Sequence, residues 1–148
     1  METQIRNHIT LSMLSSNENV AFARAAAASF AAQADLTLTE IDEIKVAVSE
    51  AISNAVIHGY GVDNIKQNYI ELRMYLYQDK LEFTIIDYGR GIANIEEARQ
   101  PSYSSDPERM GLGFAFMDSF MDKLEVISKL GQGTTVKMTK ILVPGTEH

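Results

Sequence analysis

Cysteine is absent from this 148-residue chain, and proline occurs only three times. Without thiols there is neither a disulfide framework nor a thiolate zinc site. Basic residues are in the minority: 13 Lys and Arg against 20 Asp and Glu leave a net charge of −7. Holding a nucleic-acid backbone takes clustered cations, so direct nucleic-acid binding is not expected. A nucleotide neutralised locally, or a basic protein partner, remains compatible with that charge. Long apolar runs are missing as well. The longest, Ala25 to Ala34, is too short to span a bilayer and is interrupted by Ser29 and Gln33. The opening Met1-Glu-Thr-Gln-Ile-Arg lacks the apolar segment of a secretory signal, which predicts a cytoplasmic protein without membrane contact. Two phosphate-binding motifs are also lacking. No G-x-x-x-x-G-K-[ST] occurs, which excludes a P-loop, and no G-x-G-x-x-G, which disfavours dinucleotide-binding sheets and eukaryotic-type kinases.

What is present is ordinary for a globular protein: 45% apolar and 22% charged residues. The length suits one domain over residues 1–148 with a single core. Ile9, Leu11 and Met13 alternate with polar residues as a first strand. Ser15 to Glu18 supplies helix caps for an alanine-dense helix to about Ala34, with Arg24 on its surface. Small side chains there allow close approach by the protein's own sheet or by a second protomer. Thr39, followed by Asp42 and Glu43, opens a second helix that runs to about His58.

Ile70, Leu72, Met74 and Leu76 alternate with Glu71, Arg73, Tyr75 and Tyr77, a half-buried strand joined by a short turn to Leu81–Asp87. From Tyr88 to Met110 only a short helix near Ile95 to Arg99 is expected. The Ser- and Pro-rich remainder, with a lid at about 99–112, has the length of a functional loop. A helix from Gly113 to about Met121, with Phe114, Met117, Phe120 and Met121 at core spacing, precedes a hairpin of Leu124–Ser128 and Thr134–Ile141. Helices gathered around consecutive hairpins predict an α+β two-layer sandwich, with a mixed, mostly antiparallel sheet and helices on one face.

Three segments carry chemistry. Glu50, Asn54 and His58 recur at i, i+4 and i+8, a polar stripe beside the apolar arc of Ile41, Ile44, Val48, Ala51, Ile52 and Ala55. A carboxylate and a carboxamide fixed there could take a hydroxyl proton and hold a hard cation, although a solvated helix face has the same pattern. Asp87-Tyr-Gly89-Arg-Gly91 follows a strand, where Asp87 could accept from an exocyclic amine and the glycines let a planar ligand approach. An ordinary Asp-Gly turn fits the segment equally. Arg109-Met-Gly111-Leu-Gly113 is expected to begin a helix with free N–H groups for phosphate.

In this order, and followed by Gly133-Thr134-Thr135, these segments resemble the Bergerat-fold (GHKL) ATPases, which include gyrase and the histidine kinases. Within them the chain is most similar to the anti-sigma F factors of endospore-forming bacteria, over about Leu11 to Lys140. Val48-Ser-Glu-Ala-Ile-Ser-Asn-Ala-Val-Ile-His-Gly-Tyr60, Ile95 to Pro101 and Phe116 to Asp122 carry the likeness. The resemblance implies a serine kinase that uses ATP and Mg²⁺, sequesters a sporulation sigma factor and phosphorylates an anti-anti-sigma factor. Glu50 is then the general base, Asn54 the Mg²⁺ ligand, Asp87 the adenine reader with Gly89 and Gly91 beneath the base, Gly111 and Gly113 the lid hinge, and Thr134 the threonine near adenine. Arg24 and Arg109 match partner-contacting arginines, and a homodimer is implied. The lid is about two residues shorter than the family pattern, and Met110 replaces a small residue. A related general-stress kinase, a sigma-binding module with little kinase activity, and a histidine-kinase catalytic domain are the competing readings. The last lacks room for a phosphoacceptor helix pair, and His8 and His58 stand in the wrong contexts.

Overall fold

Strict alternation builds the sheet. In the computed structural model, which describes residues 4–59, 68–89, 91, 92, 95 and 106–142, Ile70, Leu72, Met74 and Leu76 are buried while their neighbours face outward. For residues 58, 59 and 106–111 the backbone alone is described. Five strands pair in the order β1-β2-β3-β5-β4: β1 (Ile5–Leu14), β2 (Tyr69–Tyr77), β3 (Lys80–Asp87), β4 (Lys123–Lys129) and β5 (Gly133–Ile141). Every pairing is antiparallel, so the sheet is more uniform than the mixed one expected. The α+β sandwich itself is as the sequence predicts.

Helix α1 (Glu18–Ala31) and α2 (Leu38–Asn54) cover one face of the sheet with α3 (Asp106–Phe120). Ala23, Ala27 and Ala31, one turn apart, are buried, so part of the alanine run serves this chain's own core. Phe30 meets Phe83 edge-on, with centroids 6.5 Å apart, and ties α1 to β3. Ile44, Val48, Ala51 and Ile52 line the buried stripe of α2.

Two helix starts differ from expectation. Helix α2 begins at Thr37, whose hydroxyl accepts from Glu40 N at 3.1 Å while the Glu40 carboxylate accepts from Thr37 N at 2.9 Å. This is a reciprocal capping box with a true glutamate at the third position, two residues before the Thr39 cap expected. Helix α3 starts at Asp106 instead of Gly113. Asp106-Pro107-Glu108 has the acceptor, the fixed φ and the first-turn acid of a helix start, inside a stretch read as loop. The Tyr60–Asn64 turn and most of the lid, residues 99–105, lie outside the described residues.

The cap makes a discriminating prediction. Thr37→Ala lowers stability by about 1 kcal/mol, read from the denaturant midpoint, whereas Thr39→Ala shifts it by only a few tenths.

Candidate nucleotide site

On β3 the residues facing the helices are Leu81, Phe83, Ile85 and Asp87, so a carboxylate takes the fourth place in an apolar row. On β5 the matching row runs Met138, Val136 and Thr134, and Thr134 pairs directly with Asp87. The apolar layer therefore ends in two polar side chains, both buried. Asp87 Oδ1 accepts from Gly89 N at 3.0 Å, and the Thr134 N–H also donates to the carboxylate. Burial pushes the Asp87 carboxyl above its ordinary range, and those two backbone donors only partly offset the shift.

Gly91 and Gly133 hold the loop after β3 against the β4–β5 hairpin. Both have positive φ, 76° and 102°. A Cβ on Gly91 would fall 2.1 Å from the carbonyl oxygen of Lys129, and one on Gly133 2.1 Å from that of Asp87. Glycine is required at both crossings for steric as well as torsional reasons. The sequence reading assigned Gly91 to contact with a ligand; it lines the pocket and also makes this backbone crossing.

The facing wall is α2. Glu50 and Asn54 stand one turn apart, with Ala51 between them on the apolar side. Asn54 is 9% exposed, and its Nδ2 has no hydrogen-bond partner. After Asn54 the helix widens into a π-helical turn, Ala55–Gly59. Such turns carry an extra residue, so the backbone of His58 leaves the 3.6-residue register of the expected stripe. From α3, Gly113 presses on this end: a Cβ there would sit 3.0 Å from Glu50 Oε2 and 3.2 Å from Asn54 Nδ2.

Between the walls lies a narrow cleft, partly open to solvent, lined by Ala51, Asn54, Ala55, Ile85, Asp87, Gly91, Ile92, Phe114, Thr134 and Val136. An apolar slot closed at its inner end by a carboxylate suits a flat heteroaromatic ring bearing an amine. Asn54, Asp87, Gly91 and Thr134 thus line one cavity; Glu50 and Gly113 adjoin it through Asn54, and Gly89 buttresses Asp87. Gly111 and Arg109 lie on α3, and Arg24 is exposed on α1, away from the cavity lining.

One expectation needs correction. Gly111 and Gly113 sit inside α3, beyond its first turn, so their N–H groups are not the free donors of a helix N-terminus in this state. The sequence reading also missed Ser128, which joins the loop, the hairpin and Thr134 by hydrogen bonds. A serine inside a strand belongs to no motif, and only its inward place beside Val126 and Leu124 hinted at it. A hard cation could be held through the Asn54 amide oxygen and the neighbouring Glu50 carboxylate, whereas the unmet Asn54 Nδ2 is a donor and calls for an acceptor oxygen. Among the described residues no three His, Cys, Asp or Glu side chains cluster, so such an ion would keep water and ligand oxygens in its shell.

Comparison with known proteins agrees with this geometry. Residues 13–140 match the histidine kinase-like ATPase domain. The anti-sigma F factor of Oceanobacillus iheyensis is 49% identical over 140 residues, 93% of this chain and 94% of the relative. That of Clostridium beijerinckii is 46% identical over 136 residues, 90% and 94% of the two. Among solved structures, the RsbU and RsbW domains of a Mycobacterium tuberculosis protein superpose with a TM-score of 0.68 at 19% identity, over 96% of this chain and 34% of that one. The histidine kinase domain of the Erythrobacter litoralis blue-light-activated kinase gives 0.55 at 22%, over 82% and 59%. At those identities the two structures speak for the fold alone. The chain belongs to the histidine kinase-like ATPase domain family and, within it, to the anti-sigma F factors.

Proposed function

We propose that this protein is an anti-sigma factor and serine protein kinase: it binds a sporulation sigma factor and uses Mg-ATP to phosphorylate a serine of its anti-anti-sigma antagonist. The reading is carried by one observation, the convergence of Asn54, Asp87, Gly91 and Thr134 on a single pocket beside Glu50. Its relatives' name adds the sigma factor as partner. No described helix is long and apolar enough to cross a membrane.

Asp87 accepts the hydrogen bond of the adenine amine, and the apolar slot from Ala51 to Phe114 takes the ring. Mg²⁺, held by Asn54, would neutralise phosphate charge there. A serine hydroxyl is a poor nucleophile, so a carboxylate in reach is what the transfer requires. Glu50 takes the hydroxyl proton; the serine oxygen bonds to the γ-phosphorus as the bond to the β–γ bridging oxygen breaks and ADP leaves. Gly111 and Gly113 are assigned to the phosphate end. Their N–H groups become available only if the first turns of α3 unwind. Arg24, exposed on α1, and Arg109 are assigned to partner contacts.

Glu50→Gln reduces transfer to the antagonist by at least about 10²-fold while ATP binding is retained. Incubation with Mg-ATP and the antagonist reads the result, and undiminished transfer would remove Glu50 from the mechanism. Gly113→Ala favours the helix by up to about 1 kcal/mol. It also crowds Glu50 and Asn54, so melting temperature holds or rises while phosphorylation falls. Arg24→Ala weakens sigma capture and leaves ATP affinity unchanged; intact capture would put the partner surface elsewhere.

The raised Asp87 pKa gives two opposite slopes. Its ionised form is penalised in the fold, so its contribution to stability is fullest below the ordinary carboxylate range and is lost as pH rises through the raised value. Adenine recognition needs the ionised acceptor and weakens as pH falls through that same value. Asp87→Asn is therefore at least as stable as the wild type at neutral pH, with a gap that closes on acidification, yet loses ATP affinity. Melting curves and calorimetry between neutral and mildly acidic pH check both.

A further inference from the structure

Ser128 Oγ has three neighbours: Ile92 N at 2.7 Å, the Gly133 carbonyl oxygen at 3.0 Å and Thr134 Oγ1 at 2.8 Å. A hydroxyl supplies one proton and two acceptor positions. Ile92 N–H can only donate, and the Gly133 carbonyl can only accept. The arrangement that satisfies all three contacts gives the Ser128 proton to Gly133, and Thr134 then gives its own proton to Ser128. All three capacities are filled, and the Thr134 hydroxyl is left with lone pairs alone to offer the pocket. Asp87, paired with Thr134 across the β3–β5 ladder, likewise offers only lone pairs when ionised. The inner end of the pocket therefore presents a fixed pattern of acceptors.

The same oxygen fastens the loop. Ile92 and Gly91 line the pocket, and the Ile92 N–H to Ser128 bond runs beside the place where Gly91 crosses the Lys129 backbone. One side chain on β4 thus holds the loop against the hairpin and sets the proton of the neighbouring hydroxyl. Without it, Thr134 could turn its O–H into the pocket, and the donor pattern seen by a base would change.

We propose that Ser128 is a positioning residue for base discrimination: it locks the Gly91–Ile92 loop to the β4–β5 hairpin and holds the Thr134 hydroxyl as an acceptor toward the base. This rests on the reading of the pocket as an adenine site. Calorimetry with ATP and with inosine triphosphate, whose ring carries an oxygen in place of the amine, tests it on the full chain. A lost neutral hydrogen bond of this kind corresponds to about a tenfold weakening, so Ser128→Ala binds ATP about tenfold more weakly. Its preference for ATP over inosine triphosphate narrows several-fold.

Ser128→Cys nearly preserves size while replacing the oxygen by a weak hydrogen-bonding sulfur, and serves if the alanine variant folds poorly; it shows the same narrowing. Ser128→Thr, which keeps the hydroxyl, restores the wild-type ratio. In a Thr134→Val background the Ser128→Ala change no longer alters the ratio. A role confined to stability would lower the melting temperature and leave the ratio of the two affinities intact in every variant, and that result overturns the proposal. Failure of the wild type to bind ATP at all would overturn the pocket reading instead, and with it the question of discrimination.

Discussion

The pocket depends on two backbone crossings closer than any side chain allows. At Gly91 the loop after β3 lies against the carbonyl of Lys129, and at Gly133 the hairpin lies against the carbonyl of Asp87. Because the two contacts run in opposite directions, each segment clamps the other. A strand end and a hairpin become one rigid wall, and the register Asp87 to Thr134 is fixed by it. Chemical precision in a binding site comes from such support more than from the groups that face the ligand.

The opposing wall is made differently. Helix α2 is stiff because its start is doubly capped and its inner face is fully buried at Ile44, Val48 and Ile52. It places Glu50 and Asn54 where α3 crosses, and the lack of a side chain at Gly113 decides how near that crossing comes. In this state α3 is continuous from Asp106, so the end that the proposed function assigns to phosphate lies against helix at Gly113, while the Asp87 end is a cleft. The two ends of one site are thus held by structures of unequal permanence: a glycine-locked sheet end, and a helix whose first turns contain two poor helix formers.

Much of this was readable in the sequence because it is periodic. Alternation in Ile70 to Leu76 and in Leu81 to Asp87 gave the strands and their buried faces, and the 3.6-residue arc on α2 gave its core side. Positive φ at Gly91 follows from an aspartate-glycine segment just after a strand. What was hidden depends on phase or on distant pairing. Thr37 and Thr39 both precede acids, and only the phase of the buried stripe decides which one caps the helix. Asp106-Pro107-Glu108 was masked by its Ser- and Pro-rich neighbours. Ser128 acquires its meaning from Ile92, 36 residues away, which no local pattern reports. The roles of Arg24 and Arg109 come from resemblance alone, since an arginine on a helix looks like any other.

Two features of the site act against the fold that holds it. Asp87 keeps a carboxylate in an apolar row, where burial disfavours its charge, and Asn54 keeps its amide nitrogen without a partner beside the same cavity. A leucine at 87 and an alanine at 54 would suit the core better on packing grounds. Both costs fall on groups facing one cleft from opposite walls, and neither recurs elsewhere among the described residues. Local rules broken together in one place, without relief from neighbouring side chains, indicate a missing partner that supplies a donor to one wall and oxygen to the other. A ligand that meets both needs binds the native state alone and adds to its stability by mass action. In the proposed function those two needs are met by an amine at the Asp87 end and by phosphate oxygens at the Asn54 end, with the apolar lining between them.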